Sequence, residues 1–143
     1  MKMRHLLYLT IILGLLLPMS ALTVLAEDPE VIPMWIQRAR LTWTGRSSGG
    51  PDAVVGFIHI RDGENDMVEG ALVDAVWTLP DGTSLAESID TNRQGIAIFS
   101  LWEGRGEYTL CVTDVTKAGW DYQPELNFDT MNNDTGCQLF VVP

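Results

Sequence analysis

The chain has 143 residues, 46% of them apolar, and carries 19 Asp and Glu against 9 Lys and Arg, a formal charge of −10. That imbalance argues against nucleic acid and anionic membranes as partners, and its simplest consequence is solubility. The length allows one domain with a core of its own.

At the amino end, Lys2, Arg4 and His5 precede an apolar run from Leu6 to Leu17, then Pro18 and the small-residue exit Val24-Leu25-Ala26. This is the layout of an export signal over residues 1–26, cleaved after Ala26. Its apolar part is about twelve residues, short of the ~20 that a spanning helix needs. Retention as an anchor is therefore the lesser alternative, and no stable membrane insertion is expected after cleavage. Removal of Lys2 and Arg4 takes the formal charge from −10 to −12. Residues 27–143 are expected to fold as a single domain with its core over 34–143. The expected location is secreted or extracytoplasmic, which means periplasmic in a host with an outer membrane. Export puts Cys111 and Cys137 in an oxidising compartment, and an even count without CxxC spacing reads as one disulfide.

The mature chain reads as short runs rich in Val, Ile, Thr and aromatics, separated by Gly, Pro, Asp and Asn, without a helical period. The first run, Trp35 to Thr44, alternates. Trp35, Gln37, Ala39, Leu41 and Trp43 share the face expected to be buried, and Arg38, Arg40, Thr42 and Thr44 share the wet one. After the stretch from Gly45 to Pro51 comes a second run, Ala53 to Arg61, with Phe57, His59 and Arg61 opposite Val54, Ile58 and Ile60. A turn at Asp62-Gly63-Glu64-Asn65-Asp66 leads to the third run, Ala71 to Leu79, which turns Val73, Ala75 and Trp77 inward.

Pro80-Asp81-Gly82 signals a tight turn before a weak strand from Ser84 to Asp90. The next run, Gly95 to Leu101, points Ala97, Phe99 and Leu101 inward, and Glu107 to Val115 does the same with Tyr108, Leu110 and Val112. A last run covers Cys137 to Val142. Trp77, Phe99, Leu110 and Val112 are the expected core. About seven strands at this spacing predict an all-β, two-sheet immunoglobulin-like sandwich with Greek-key links.

Few residues suggest chemistry. His59 is the one histidine beyond the signal, and it lies inside a strand without a nucleophile and an orienting group to form a triad. No catalytic residue, metal or cofactor is expected. Asp62, Glu64 and Asp66 offer oxygens at alternate positions of one loop, the ligand type that calcium takes. They lack the spacing of a calcium loop, and a turn between strands accounts for them. The acidic segment Asp129 to Asp134 reads the same way. The long connection from Thr116 to Gly136 carries Trp120, Tyr122 and Phe128 among polar residues and is the candidate binding loop.

Four segments resemble a known family: Gly70-Ala71-Leu72-Val73 with Trp77, Thr91 to Phe99, Tyr108 to Thr116, and Gly119 to Asn127. Together they look like the bacterial immunoglobulin-like domains found beside the catalytic domains of secreted proteases and other exported hydrolases. These are similar in layout to carboxypeptidase regulatory-like domains. The resemblance spans about residues 34 to 130 and implies a scaffold with no catalytic residues to carry over. It also implies that Tyr122, Pro124 and Asn127 hold the long loop in a packed shape. The expected role is non-catalytic contact or spacing, with a protein or polysaccharide as partner. Two alternatives are carbohydrate binding through exposed aromatics such as Trp35, Trp102 and Trp120, and service as an accessory or inhibitor of a secreted hydrolase.

Overall fold

The computed structural model describes residues 30–45, 53–102, 104–128 and 136–143. The signal segment, most of the stretch from Gly45 to Pro51 and the acidic segment from Asp129 to Asp134 lie outside them. The elements in chain order are β1 (Ile32–Thr44), β2 (Ala53–Asp62), β3 (Leu72–Thr78), β4 (Ser84–Asp90), β5 (Ile96–Leu101), β6 (Gly106–Thr116), β7 (Trp120–Tyr122) and β8 (Cys137–Val142). A 3-10 turn, Pro124–Leu126, follows β7. Sheet I has the order β5-β2-β1-β7 and sheet II the order β4-β3-β6-β8.

The chain changes sheets between β2 and β3 and then at every connection from β4 to β8. As a result β2 pairs with β5 and β3 with β6, both antiparallel. This order is compatible with an immunoglobulin-like Greek key, and two further features suit that architecture. Trp77 on β3 is fully buried at the centre, and its indole N–H donates to the Glu87 carboxylate at 3.1 Å. Tyr108, near the start of β6, donates its hydroxyl to the Gly104 carbonyl four residues upstream at 2.6 Å, the geometry of a tyrosine corner.

The core lies between the sheets. Ala39, Leu41, Val54, Ile58, Ile60, Ala97 and Phe99 of sheet I meet Val73, Ala75, Trp77, Tyr108, Leu110 and Val112 of sheet II. Gly56 has to be small for this packing, because a Cβ there would lie 2.6 Å from a Leu110 methyl. The turn before β5 needs a glycine for a different reason. Gly95 has φ +69°, and a Cβ on it would stand 2.8 Å from the Ile60 carbonyl oxygen. Thr91 fastens the same corner from inside, donating its hydroxyl to the Val68 carbonyl and accepting the Ala71 N–H.

Two details differ from the sequence reading. Among the described residues the strands number eight, because Trp120–Tyr122 adds β7 in parallel beside Ile32, Pro33 and Met34 of β1. In β1 the alternation breaks. Ile36 pairs with Ile60 and Arg38 with His59, which leaves Gln37 as the extra residue of a β-bulge. The bulge turns Met34 and Ile36 inward ahead of Ala39 and Leu41. Trp35 and Gln37, expected to be buried, are half-buried on the outer face instead, with Trp35 opposite Arg61. A second bulge in β6, where Asp74 pairs with Asp114 and Ala75 with Val112, makes Thr113 the extra residue and sends Val115 into the core.

β8 closes the other edge of sheet II. Cys111 and Cys137 are directly opposed across β6 and β8 and form the disulfide. Among the described residues, no helix is long and apolar enough to cross a membrane.

Candidate functional site

The segment after β6 folds back as a structured arm. Asn127 is its clasp. Its side-chain oxygen accepts the Ile36 N–H at 2.8 Å, and its amide N–H donates to the Tyr122 hydroxyl, also at 2.8 Å. Backbone bonds from Gln123 N–H to the Met34 carbonyl and from Phe128 N–H to the Ile36 carbonyl, each 2.9 Å, complete the attachment to β1.

Trp120 and Tyr122 line an open cavity of about 530 Å³ with Asp114, Lys117 and Asp121. The Trp120 ring is already occupied, since the Lys117 ammonium lies 4.9 Å from its centroid and also donates to the Glu69 carbonyl. Burial pushes the Tyr122 phenol above its ordinary pKa. The Asn127 hydrogen bond works against that rise, and Asp114 and Glu125 add to it. Phe128 does not join the other two aromatics at the cavity. It is held by its backbone and its side chain is largely exposed.

The tryptophans considered for sugar stacking do not share a platform. Trp35 pairs with Arg61 at one end of β2, Trp102 follows Leu101 opposite Val54 at the other, and Trp120 is on β7. The seven residue steps from Val54 to Arg61 span ~23 Å.

Asp62, Glu64 and Asp66 form a turn and do not converge on a cation site. One Asp62 carboxylate oxygen accepts the N–H groups of Glu64 at 3.0 Å and Asp66 at 2.7 Å. Among the described residues, no group of three or more His, Cys, Asp or Glu side chains could hold a metal ion.

The register of sheet I does assemble something that residue-by-residue reading left scattered. Across its outer face the rows are Trp35 and Arg61; then Arg38, His59 and Ile96; then Arg40, Phe57 and Ile98; then Thr42, Val55 and Ser100. Three guanidinium groups and an imidazole share this face, and none of the residues in these rows is acidic. Arg61 is braced by the Gln37 side chain, to which its Nε donates at 3.0 Å, and by the Asn65 carbonyl. Arg38 and Arg40 have no carboxylate within salt-bridge distance among the described residues; the ion pair found there joins Arg93 to Glu69 on exposed loops. His59 registers the surrounding charge. Its pKa is lowered by partial burial first, then by Arg38 and Arg61.

No described protein family, curated protein or solved structure matches the chain.

Proposed function

We propose that the protein is an exported, non-catalytic immunoglobulin-like module that works by surface contact, and that the outer face of sheet I is its contact surface. The observation that carries this reading is the row of Arg40, Arg38, His59 and Arg61 beside Phe57 and Trp35. It is a cationic and aromatic face in which, among the described residues, Arg38 and Arg40 have no carboxylate within salt-bridge distance, on a chain with 19 carboxylates. Uncompensated arginines next to half-buried aromatics are the composition of contact surfaces, because a planar guanidinium pairs with carboxylate, phosphate or sulfate and stacks on rings.

A non-catalytic role is supported by the surroundings of the reactive side chains. Both cysteines are in the disulfide, and His59 is flanked by cations instead of a nucleophile and a carboxylate. Export is supported by the amino-terminal pattern and agrees with the disulfide. The resemblance to modules that accompany secreted hydrolases points the same way, since it brings no catalytic residues.

The test uses a sulfated dextran resin. An acidic protein should pass through it unless one face presents organised cations, so the exported protein is expected to be retained and Arg38→Gln/Arg40→Gln to flow through. Equal retention of both proteins would remove the assignment of the face. Hydrolase activity in the pure protein would remove the non-catalytic reading.

A further inference from the structure

The opposite side of the sandwich has the complementary character. The outward rows of sheet II are Asp90, Leu72 and Thr116; then Ser88, Asp74 and Asp114; then Ala86, Val76 and the disulfide; then Ser84, Thr78, Thr109 and Leu139; then Glu107 and Val141. Four carboxylates stand in these rows with no Lys or Arg. Asp74 and Asp114 are direct cross-strand partners, and like charges placed opposite each other destabilise a sheet. The face is also apolar in part, with Leu139 and Val141 more than half exposed.

Among the described residues, the rows of each outer face thus gather charge of one sign without the other, and each is what the other lacks. We infer that the outer face of sheet I docks on the outer face of sheet II of a second copy, so that molecules stack head to tail. The inference rests on sheet I being the contact face and names its partner. Arg38 and Arg40 would face the Asp74 and Asp114 pair, while Phe57 and Ile98 would cover apolar surface around Val76 and Leu139. Because the two faces lie on opposite sides of one sandwich, the contact is heterologous and can repeat.

Size and charge set its strength. The sheet I face measures ~23 Å by ~15 Å, from seven residues along a strand and three strands across. That is well under the ~800 Å² per partner of a standard stable interface, so the association is weak and needs high local concentration. The formal charge of −12 after signal removal opposes it. Stacked sheets ~10 Å apart put molecular centres ~20 Å from each other, more than two Debye lengths of ~8 Å at physiological ionic strength. Screening there suppresses the net repulsion far more than the attraction between touching groups.

Sedimentation velocity of the exported protein over a concentration series at physiological ionic strength tests the stack. The wild type should sediment faster as concentration rises. Arg38→Gln/Arg40→Gln, which disables sheet I, and Asp74→Asn/Asp114→Asn, which disables sheet II, should each sediment as a monomer. An equimolar mixture of the two variants should form a one-to-one dimer that grows no further, because one intact face of each kind remains. All four positions are on the outer surface, and Asn keeps the oxygen that accepts the Ser88 hydroxyl at position 74 and the Val115 N–H at position 114; unchanged melting temperatures would confirm folding. A wild type that is monomeric throughout, or a mixture that stays monomeric, overturns the stack. If that monomer is still held by sulfated dextran through Arg38 and Arg40, the contact-face reading survives and an external anionic partner replaces the second copy.

Discussion

Deleting Gln37 separates two accounts of β1. In the structure Gln37 is the extra residue of a bulge, so its removal joins Ile36 directly to Arg38 and leaves Ile36 opposite Ile60 and Arg38 opposite His59 in an unbroken ladder. Met34 and Ile36 stay in the core. The bond that the Ile36 N–H donates to the Asn127 side chain and the one that its carbonyl accepts from the Phe128 N–H are untouched. What disappears is the Gln37 side chain, with its bonds to Arg61 at 3.0 Å and Asn65 at 3.4 Å. Bonds of this kind contribute ~0.5–1.5 kcal/mol each, so the expected loss is about 1–3 kcal/mol. Under strict alternation the same deletion would turn the first half of β1 over. That account buries Trp35, and expelling a side chain of ~150–250 Å² would then cost ~4–6 kcal/mol, a large part of the ~5–15 kcal/mol that holds a domain together. Urea unfolding measures the difference as a midpoint shift at constant m-value. A loss above about 3 kcal/mol would refute the bulge.

Three further outcomes follow from particular contacts. Asn127→Ala strands the Ile36 N–H and frees the Tyr122 hydroxyl; a loss of ~1–3 kcal/mol is expected, with faster amide exchange at Trp120–Tyr122 and none at β3, and uniform exchange would contradict the clasp. Reducing the Cys111–Cys137 bond, which closes a sequence separation of 26, should remove ~3–4 kcal/mol on the chain-entropy account, and an unchanged urea midpoint would contradict it. His59 should titrate below 6.5 by NMR, and Arg38→Gln should raise its midpoint only part of the way back, since burial is the larger cause. A depressed folded-state pKa means that the unfolded chain binds the proton more readily. Stability from this group is therefore complete above pH 6.5 and is lost as pH falls through the folded pKa. A midpoint at or above 6.5 would contradict the placement of the arginines.

The fold was legible wherever a strand keeps one phase. In β3, β5 and the first part of β6 the alternation runs unbroken, and Val73, Trp77, Phe99, Leu110 and Val112 are buried as the pattern implies, with Leu72, Val76, Ile96 and Ile98 in the opposite phase. β1 misled because its buried phase changes at Gln37. Trp35, Ala39, Leu41 and Trp43 fit one phase throughout, while Met34 and Ile36 fit the other up to Gln37, and only pairing with Ile60 decides between them. β7 was read as part of a loop because three residues carry no period. It exists through the Asn127 clasp and its pairing with Ile32, Pro33 and Met34, both of which reach far along the chain. In the sequence Trp120, Tyr122 and Phe128 read together as a candidate binding loop; in the fold Lys117 covers the Trp120 ring and the Phe128 side chain is largely exposed.

Composition misleads about partners for a related reason. A formal charge of −10 argues against anionic partners when the charge is spread evenly, yet strand register spreads it unevenly here. The bulge at Thr113 decides whether Asp114 or its neighbour faces out, and so builds the Asp74–Asp114 pair on sheet II. On sheet I, pairing of β1 with β2 brings Arg38, Arg40, His59 and Arg61 together. An approaching group responds mainly to charges within a Debye length, ~8 Å at physiological ionic strength, and the two sheets are themselves ~10 Å apart, with the outward carboxylates of sheet II farther still. The cationic face is therefore felt locally despite the net charge. Lowering the salt lengthens the screening distance to ~30 Å at 0.01 M, brings the sheet II carboxylates into range and weakens attraction to an anionic partner. That is the reverse of the monotonic salt dependence expected of a uniformly basic surface.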